Sequence, residues 1–255
     1  MKHVEEADDP RRRWLIKALG AGFFTAGLPG SHALAASIFG SRPTKLPSSQ
    51  SIYRISGEAS VNGKAATLGT RINPGDTVQT AADSELIFVV NSHAMILRGS
   101  SHLVIETAQK KTAQNKTEGN APLNLLINGL RLLTGKLLTV SRNTPMRVST
   151  VTATIGIRGT GFYVEAEPEQ TYFCTCYGVT DVAAINDPTS KETIVSQHHD
   201  RPLYIVKNAE QGKSIRNAPF INHTDQELML IETLVGRTPP FVFPRDDYTG
   251  PRRDY

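Results

Sequence analysis

An all-β fold is predicted by three features of this 255-residue chain. Short runs of β-branched and aromatic residues alternate with turn signals at the spacing typical of sandwiches and barrels. No segment from 52 to 185 carries a convincing helical period. The Leu-rich stretch 123–140, which could otherwise read as one amphipathic helix, is interrupted by Gly129 and Gly135, favouring a pair of strands. The expected architecture is an antiparallel β-sandwich, jelly-roll-like or a β-roll, with one short C-terminal helix.

The chain opens on an address. Arg12-Arg13-Trp14-Leu15-Ile16-Lys17 fits the twin-arginine pattern, and a moderately apolar stretch runs from Ala18 to Leu28. Pro29-Gly30 breaks that stretch, and Ala33-Leu34-Ala35 supplies a small-x-small cleavage site. Residues 1–35 are therefore expected to be a twin-arginine signal peptide. The apolar part is shorter than the roughly 20 residues a spanning helix needs. No later stretch reaches that length either, so the mature protein is expected to be periplasmic or secreted, with no spanning segment. Twin-arginine export carries proteins already folded, many of them with a cofactor already bound.

Residues 36–51 are rich in Ser and Pro and read as a linker. From Ile52 the β texture begins. Asn62-Gly63 and Pro74-Gly75-Asp76 are turn signals, because these residues accept or preset the required φ values. Glu85–Val90 is a nearly continuous apolar run, as a strand buried on both faces should be. Residues 108–121 are polar and aperiodic, an exposed loop. Strands are expected again at Leu123–Ile127, Leu130–Leu133, Lys136–Val140 and Met146–Thr150. Further strands are expected at Thr152–Ile157, Gly161–Glu165, Thr171–Tyr177 and Thr180–Ile185. The domain is drawn at 52–185. Residues 186–255 form a C-terminal extension with two short strands, at Ile194–Gln197 and Leu203–Val206. Its helix runs from about 225 to 235 and precedes an extended tail. Thr224 and Glu227 form a capping box, Leu228, Ile231 and Val235 share one face, and Gly236 ends the helix.

Five segments resemble the FecR domain in order and spacing. They are Leu68-Gly69 with Pro74–Thr80, then Leu130–Leu137, then Met146–Thr150, then Ile157–Val164, and finally Tyr177-Gly178-Val179. The fourth contains Arg158-Gly159-Thr160-Gly161-Phe162, similar to the family's Arg-Gly-Thr-x-Phe signature. The resemblance covers roughly residues 55–185. It implies a periplasmic β-sandwich-like module that, in well-known members, links an outer-membrane receptor to a sigma factor through an inner-membrane helix. This chain shows neither an anti-sigma segment before the domain nor a retained spanning helix. The implied role is a non-catalytic binding or signalling module with a protein or cell-envelope partner. Arg158, Gly159, Thr160 and Phe162 are expected to be structural, a tight turn with Phe packed inward and Arg paired across the sheet.

The formal charge is +4; five basic and four acidic residues lie in the first 35, leaving +3 spread along the rest. No patch emerges of the kind a nucleic-acid partner requires. No nucleophile–base set, phosphate loop, zinc-protease or calcium motif appears, so no catalytic residue is assigned and no enzyme is expected. Glu165 and Glu167 read as a solvated strand face or loop.

The FecR resemblance does not account for Cys174-Thr175-Cys176, the only cysteines. Residues i and i+2 of a strand share a face, and extended spacing disfavours a disulfide between them. Three accounts remain open: buried small apolar residues, a kinked redox pair, or soft metal ligands. Three of the histidines, His198, His199 and His223, fall late in the chain. With Cys174 and Cys176 they form a candidate zinc or copper site, and Asp225 could orient the imidazoles. Each histidine also has a plainer reading, His199 in a turn and His223 packed before the helix cap.

Overall fold

The computed structural model describes residues 43–107, 127–141 and 145–241. The expected signal peptide, the polar loop 108–121 and all of the tail beyond Phe241 lie outside the described residues. Fourteen strands are described, followed by one helix. They are β1 (Ile52–Ser56), β2 (Ala59–Val61), β3 (Lys64–Ala65), β4 (Thr77–Thr80), β5 (Glu85–Val90), β6 (His93–Leu97) and β7 (His102–Thr107). Then come β8 (Ile127–Ser141), β9 (Met146–Ser149), β10 (Ala153–Ala166), β11 (Gln170–Ala184), β12 (Lys191–Ser196), β13 (Leu203–Val206) and β14 (Ile215–Asn217). Helix α1 spans Asp225–Leu234. The all-β class and the short C-terminal helix are as the sequence predicts.

The strands form an open sheet that is antiparallel except where β8 runs parallel to β9. The expected strand pairs at 130–140, 152–165 and 171–185 are each one long strand, β8, β10 and β11. The breaks anticipated from glycine are bends instead. Gly135, Gly159 and Gly178 all have positive φ, which lets the chain kink while pairing continues on either side. At Gly178 an added Cβ would lie 2.6 Å from Thr160 Cγ2 and 2.8 Å from Gly159 O. The signature Arg158–Phe162 is correspondingly a bulge inside β10, not a tight turn. Phe162 is fully buried and Arg158 Nη2 reaches Asp181 Oδ1 at 2.8 Å across β11.

Side-chain alternation along these strands makes two apolar clusters. Leu86, Phe88, Met95, Leu97, Leu137, Phe162, Val164 and Phe173 point into the main core. Their neighbours Ile87, Ala94, Ile96, Leu138, Val140, Tyr163, Cys174 and Cys176 point to the opposite face. That second face is covered by α1 through Leu228, Ile231 and Leu234. Burial on both faces explains why β5 reads as a nearly continuous apolar run. The helix begins with the expected capping box, in which Glu227 N donates to Thr224 Oγ1 and Thr224 N to Glu227 Oε2. Arg98 Nη2 donates to both Glu227 oxygens at 3.0 Å, tying the helix start to the end of β6. Leu46 N donates to Leu234 O at 2.9 Å, so the chain ahead of β1 contacts the helix end.

His93, at the start of β6, is 2% exposed and its Nδ1 has no hydrogen-bond partner among the described residues. Burial, assisted by the charge of Arg237, pushes its pKa down to about 4 from the ordinary 6.5. Between those values the unfolded chain binds a proton that the folded chain does not, so stability falls as pH falls through this window. At about 1.4 kcal/mol per unit, the loss between pH 7 and pH 5 is expected to be about 2 kcal/mol. Urea unfolding at the two pH values should show a smaller loss for His93→Leu than for the parent; equal losses would assign the slope elsewhere.

Candidate metal centre

Cys174 and Cys176 lie two residues apart on β11, on the face away from Phe173 and under the C-terminal segment. Both are buried free thiols. Above them the chain makes a turn between β12 and β13. Asp200 fixes this turn by accepting from Gln197 N at 2.6 Å and His198 N at 3.3 Å. These bonds, the one from Gln197 foremost, hold its carboxyl below the usual range despite partial burial. His199 adopts φ +55 at the tip, and its N–H donates to Cys176 O at 2.9 Å. His223 arrives from the other side, between Asn222 at φ +59 and the helix cap Thr224. Its ring stacks on Tyr163 with centroids 4.5 Å apart.

Cys174 Sγ, Cys176 Sγ and one ring nitrogen each of His199 and His223 thus lie within 4.8 Å of one another, all four residues buried. Cys174 Sγ is 3.5 Å from His199 Nδ1, and His199 Nδ1 is 3.2 Å from His223 Nε2. Tetrahedral zinc, with bonds of about 2.3 Å to sulfur and 2.05 Å to nitrogen, places sulfur and nitrogen about 3.55 Å apart and two nitrogens about 3.35 Å apart.

The outward nitrogens settle the tautomers. His199 Nε2 donates to Asp225 Oδ1 at 3.0 Å, and His223 Nδ1 donates to Ile221 O at 2.7 Å. In the neutral rings, His199 Nδ1 and His223 Nε2 turn lone pairs toward each other and toward the thiols. Although burial opposes it, the bonds to Asp225 and Cys174 raise the His199 pKa, so the place between these atoms suits a positive charge, a proton or a metal ion. Such an arrangement is relieved by a cation at its middle, and the carboxylate–imidazole pair is the usual support behind a metal ligand. Burial opposes ionisation of Cys174. Hydrogen bonding from Cys176 and the neighbouring imidazoles nonetheless hold that thiol well below its ordinary range, whereas burial pushes Cys176 up. Burial keeps His223 neutral by lowering its pKa. Burial also opposes the charge on Asp225, but the bonds from His199 and His198 outweigh it and lower its pKa.

Four of the five candidate ligands thus come together. The fifth, His198, does not reach the thiols; its Nε2 sits 3.1 and 3.0 Å from the two Asp225 oxygens. Glu165, expected to be solvated, is buried and accepts from Tyr163 Oη at 2.6 Å and Asn222 Nδ2 at 2.7 Å. It holds the residue before His223, a role no local motif announces; Glu167 is exposed.

No family model matches this chain. None of the curated proteins matches it either. Among solved structures it is similar to two crystal structures of a proposed anti-sigma factor from Parabacteroides distasonis. One has 16% identity and a TM-score of 0.41, covering 70% of this chain and 84% of that one. The other has 16% identity and a TM-score of 0.39, covering 68% and 82%. At that overlap neither structure speaks to this chain's chemistry.

Proposed function

We propose that this chain is an exported, non-catalytic binding or signalling module whose β-domain holds one zinc ion through Cys174, Cys176, His199 and His223. The observation that carries the zinc reading is the spacing of the four buried donor atoms, with both imidazoles fixed from behind. Two thiolates and two imidazoles in a tetrahedron suit zinc better than copper(II), which prefers tetragonal sites. Four protein ligands leave no open coordination position, the mark of a structural centre rather than a catalytic one. Complete burial of both thiols also disfavours a redox role that needs solvent access. The twin-arginine pattern of residues 12–17 supports export in a folded, metal-loaded form. No helix among the described residues is long and apolar enough to cross a membrane. The FecR resemblance supports a partner-binding role for the module.

The test is elemental analysis of the mature chain exported by its own signal, followed by cobalt substitution. About one zinc per chain is expected, and cobalt should give the intense visible bands of a tetrahedral thiolate site. A chain that leaves the cell empty and takes up neither metal would overturn the reading.

A further inference from the structure

Resting on that reading, we propose that His198 and Asp225 form an entry station that passes a divalent cation between solvent and the buried centre. The ligands themselves are sealed. Cys174, Cys176 and His223 are 0% exposed, and the His199 side chain is 4% exposed. Asp225 is also 0% exposed, whereas the His198 side chain is 27% exposed. His198 is therefore the place where this line of donor atoms meets water. From its Nε2 the line runs through both Asp225 oxygens at 3.0–3.1 Å, on to His199 Nε2 at 3.0 Å, and across that ring to the thiols.

These three residues make a donor set of their own, with one atom each within 4.8 Å of the others. The 3.0–3.1 Å separations of the two imidazole nitrogens from the Asp225 oxygens fit adjacent ligands of a six-coordinate cation, which lie about 3.0 Å apart when bonds are near 2.1 Å. Two imidazoles and one carboxylate leave half of such a shell to water, so the station can hold a cation arriving partly hydrated. On capture the cation takes the place of the Nε2 protons of His198 and His199. The first leaves to solvent, and the second shifts to His199 Nδ1 and returns to Nε2 as the cation moves on to the two sulfurs, whose protons also leave to solvent. The inner centre, with two thiolates, holds zinc more tightly and draws it onward. Phe241 packs on one side of the His198 ring at 4.5 Å and keeps it over Asp225.

The discriminating measurement is kinetic. The metal-free mature chain is mixed with cobalt(II) under reducing conditions, and the thiolate absorption is followed as the inner centre fills; release is followed with excess chelator. For His198→Gln, stoichiometry, final spectrum and equilibrium affinity are expected to match the parent within about twofold. Loading and release should both slow by about tenfold or more, the scale on which a focusing charged group changes association. Parent rates in the variant would overturn the proposal. So would a loss of affinity with an unchanged loading rate, which is the signature of a residue that merely positions Asp225. If the parent itself shows no thiolate absorption, the zinc reading fails first and the proposal with it.

Discussion

Replacing both Cys174 and Cys176 by serine is expected to lower bound zinc to less than about a tenth of an ion per chain. Serine hydroxyls stay protonated near neutral pH and are poor zinc ligands, and two imidazoles alone do not hold the ion in a buried site. The variant also places two hydroxyls in an apolar cluster with Leu138, Tyr163 and Tyr172, which costs about 1–3 kcal/mol for each one left without a partner. Elemental analysis reads the first effect, and denaturant unfolding of parent and variant, both metal-free, isolates the second. A variant that keeps its zinc would place the metal elsewhere in the chain.

Stripping zinc from the parent is expected to loosen one part of the molecule and spare the rest. Two ligands belong to β11, whereas His199 belongs to the turn after β12 and His223 to the residue before the helix cap. A bound ion would therefore clip the turn 197–200 and the segment 218–241 onto a sheet that keeps its own core and its own pairing of β11 with β13. At a free zinc concentration a thousandfold above the dissociation constant, binding adds about 4 kcal/mol. For a domain of this size that corresponds to a fall in Tm of roughly 8–16 °C on removal. Hydrogen exchange after chelation should accelerate in α1 and in the segments carrying His199 and His223, while β5, β6 and β8 stay protected. A uniform rise across all strands would mean that the ion supports the whole domain, and no change would mean that it supports nothing.

The helix was legible because its signals are local. Thr224, Glu227 and the spacing of Leu228 and Ile231 lie within one short window, and α1 starts where they say. The long strands were legible in composition but not in continuity. Gly135, Gly159 and Gly178 read as endings, yet each takes a positive φ inside a strand that goes on. A glycine in sequence does not say whether its neighbours on either side find pairing partners. The candidate centre was legible as residue types, since Cys-x-Cys on a strand puts two thiols on one face. Which histidines join them depends on how the turn at 197–200 and the strap before α1 fold back, and nothing local states that. His198 and His199 are adjacent and chemically identical, yet one faces the thiols and the other the far side of Asp225. Glu165 was misread for the same reason: its partners Tyr163 and Asn222 come from the same strand and from a segment far along the chain.

The separation of the ligands along the chain also orders events in folding. Cys174 and Cys176 are in place once β11 has paired with β10, but His223 lies beyond β12, β13 and β14. Contacts so distant in sequence form late, because the loop between them must be closed before they contribute. A centre built on these four residues is therefore expected to close only once the segment after β14 has folded back over β11. A chain cut anywhere between β14 and His223 would retain every strand and the main core, yet lack the last ligand, the helix cap and the cover over the second apolar face. Such a truncated chain would expose Ile87, Ile96, Leu138 and Val140 together, a contiguous sticky surface that favours self-association. Completion of the proposed metal shell and cover of the second apolar face therefore hang on the same last stretch of polypeptide.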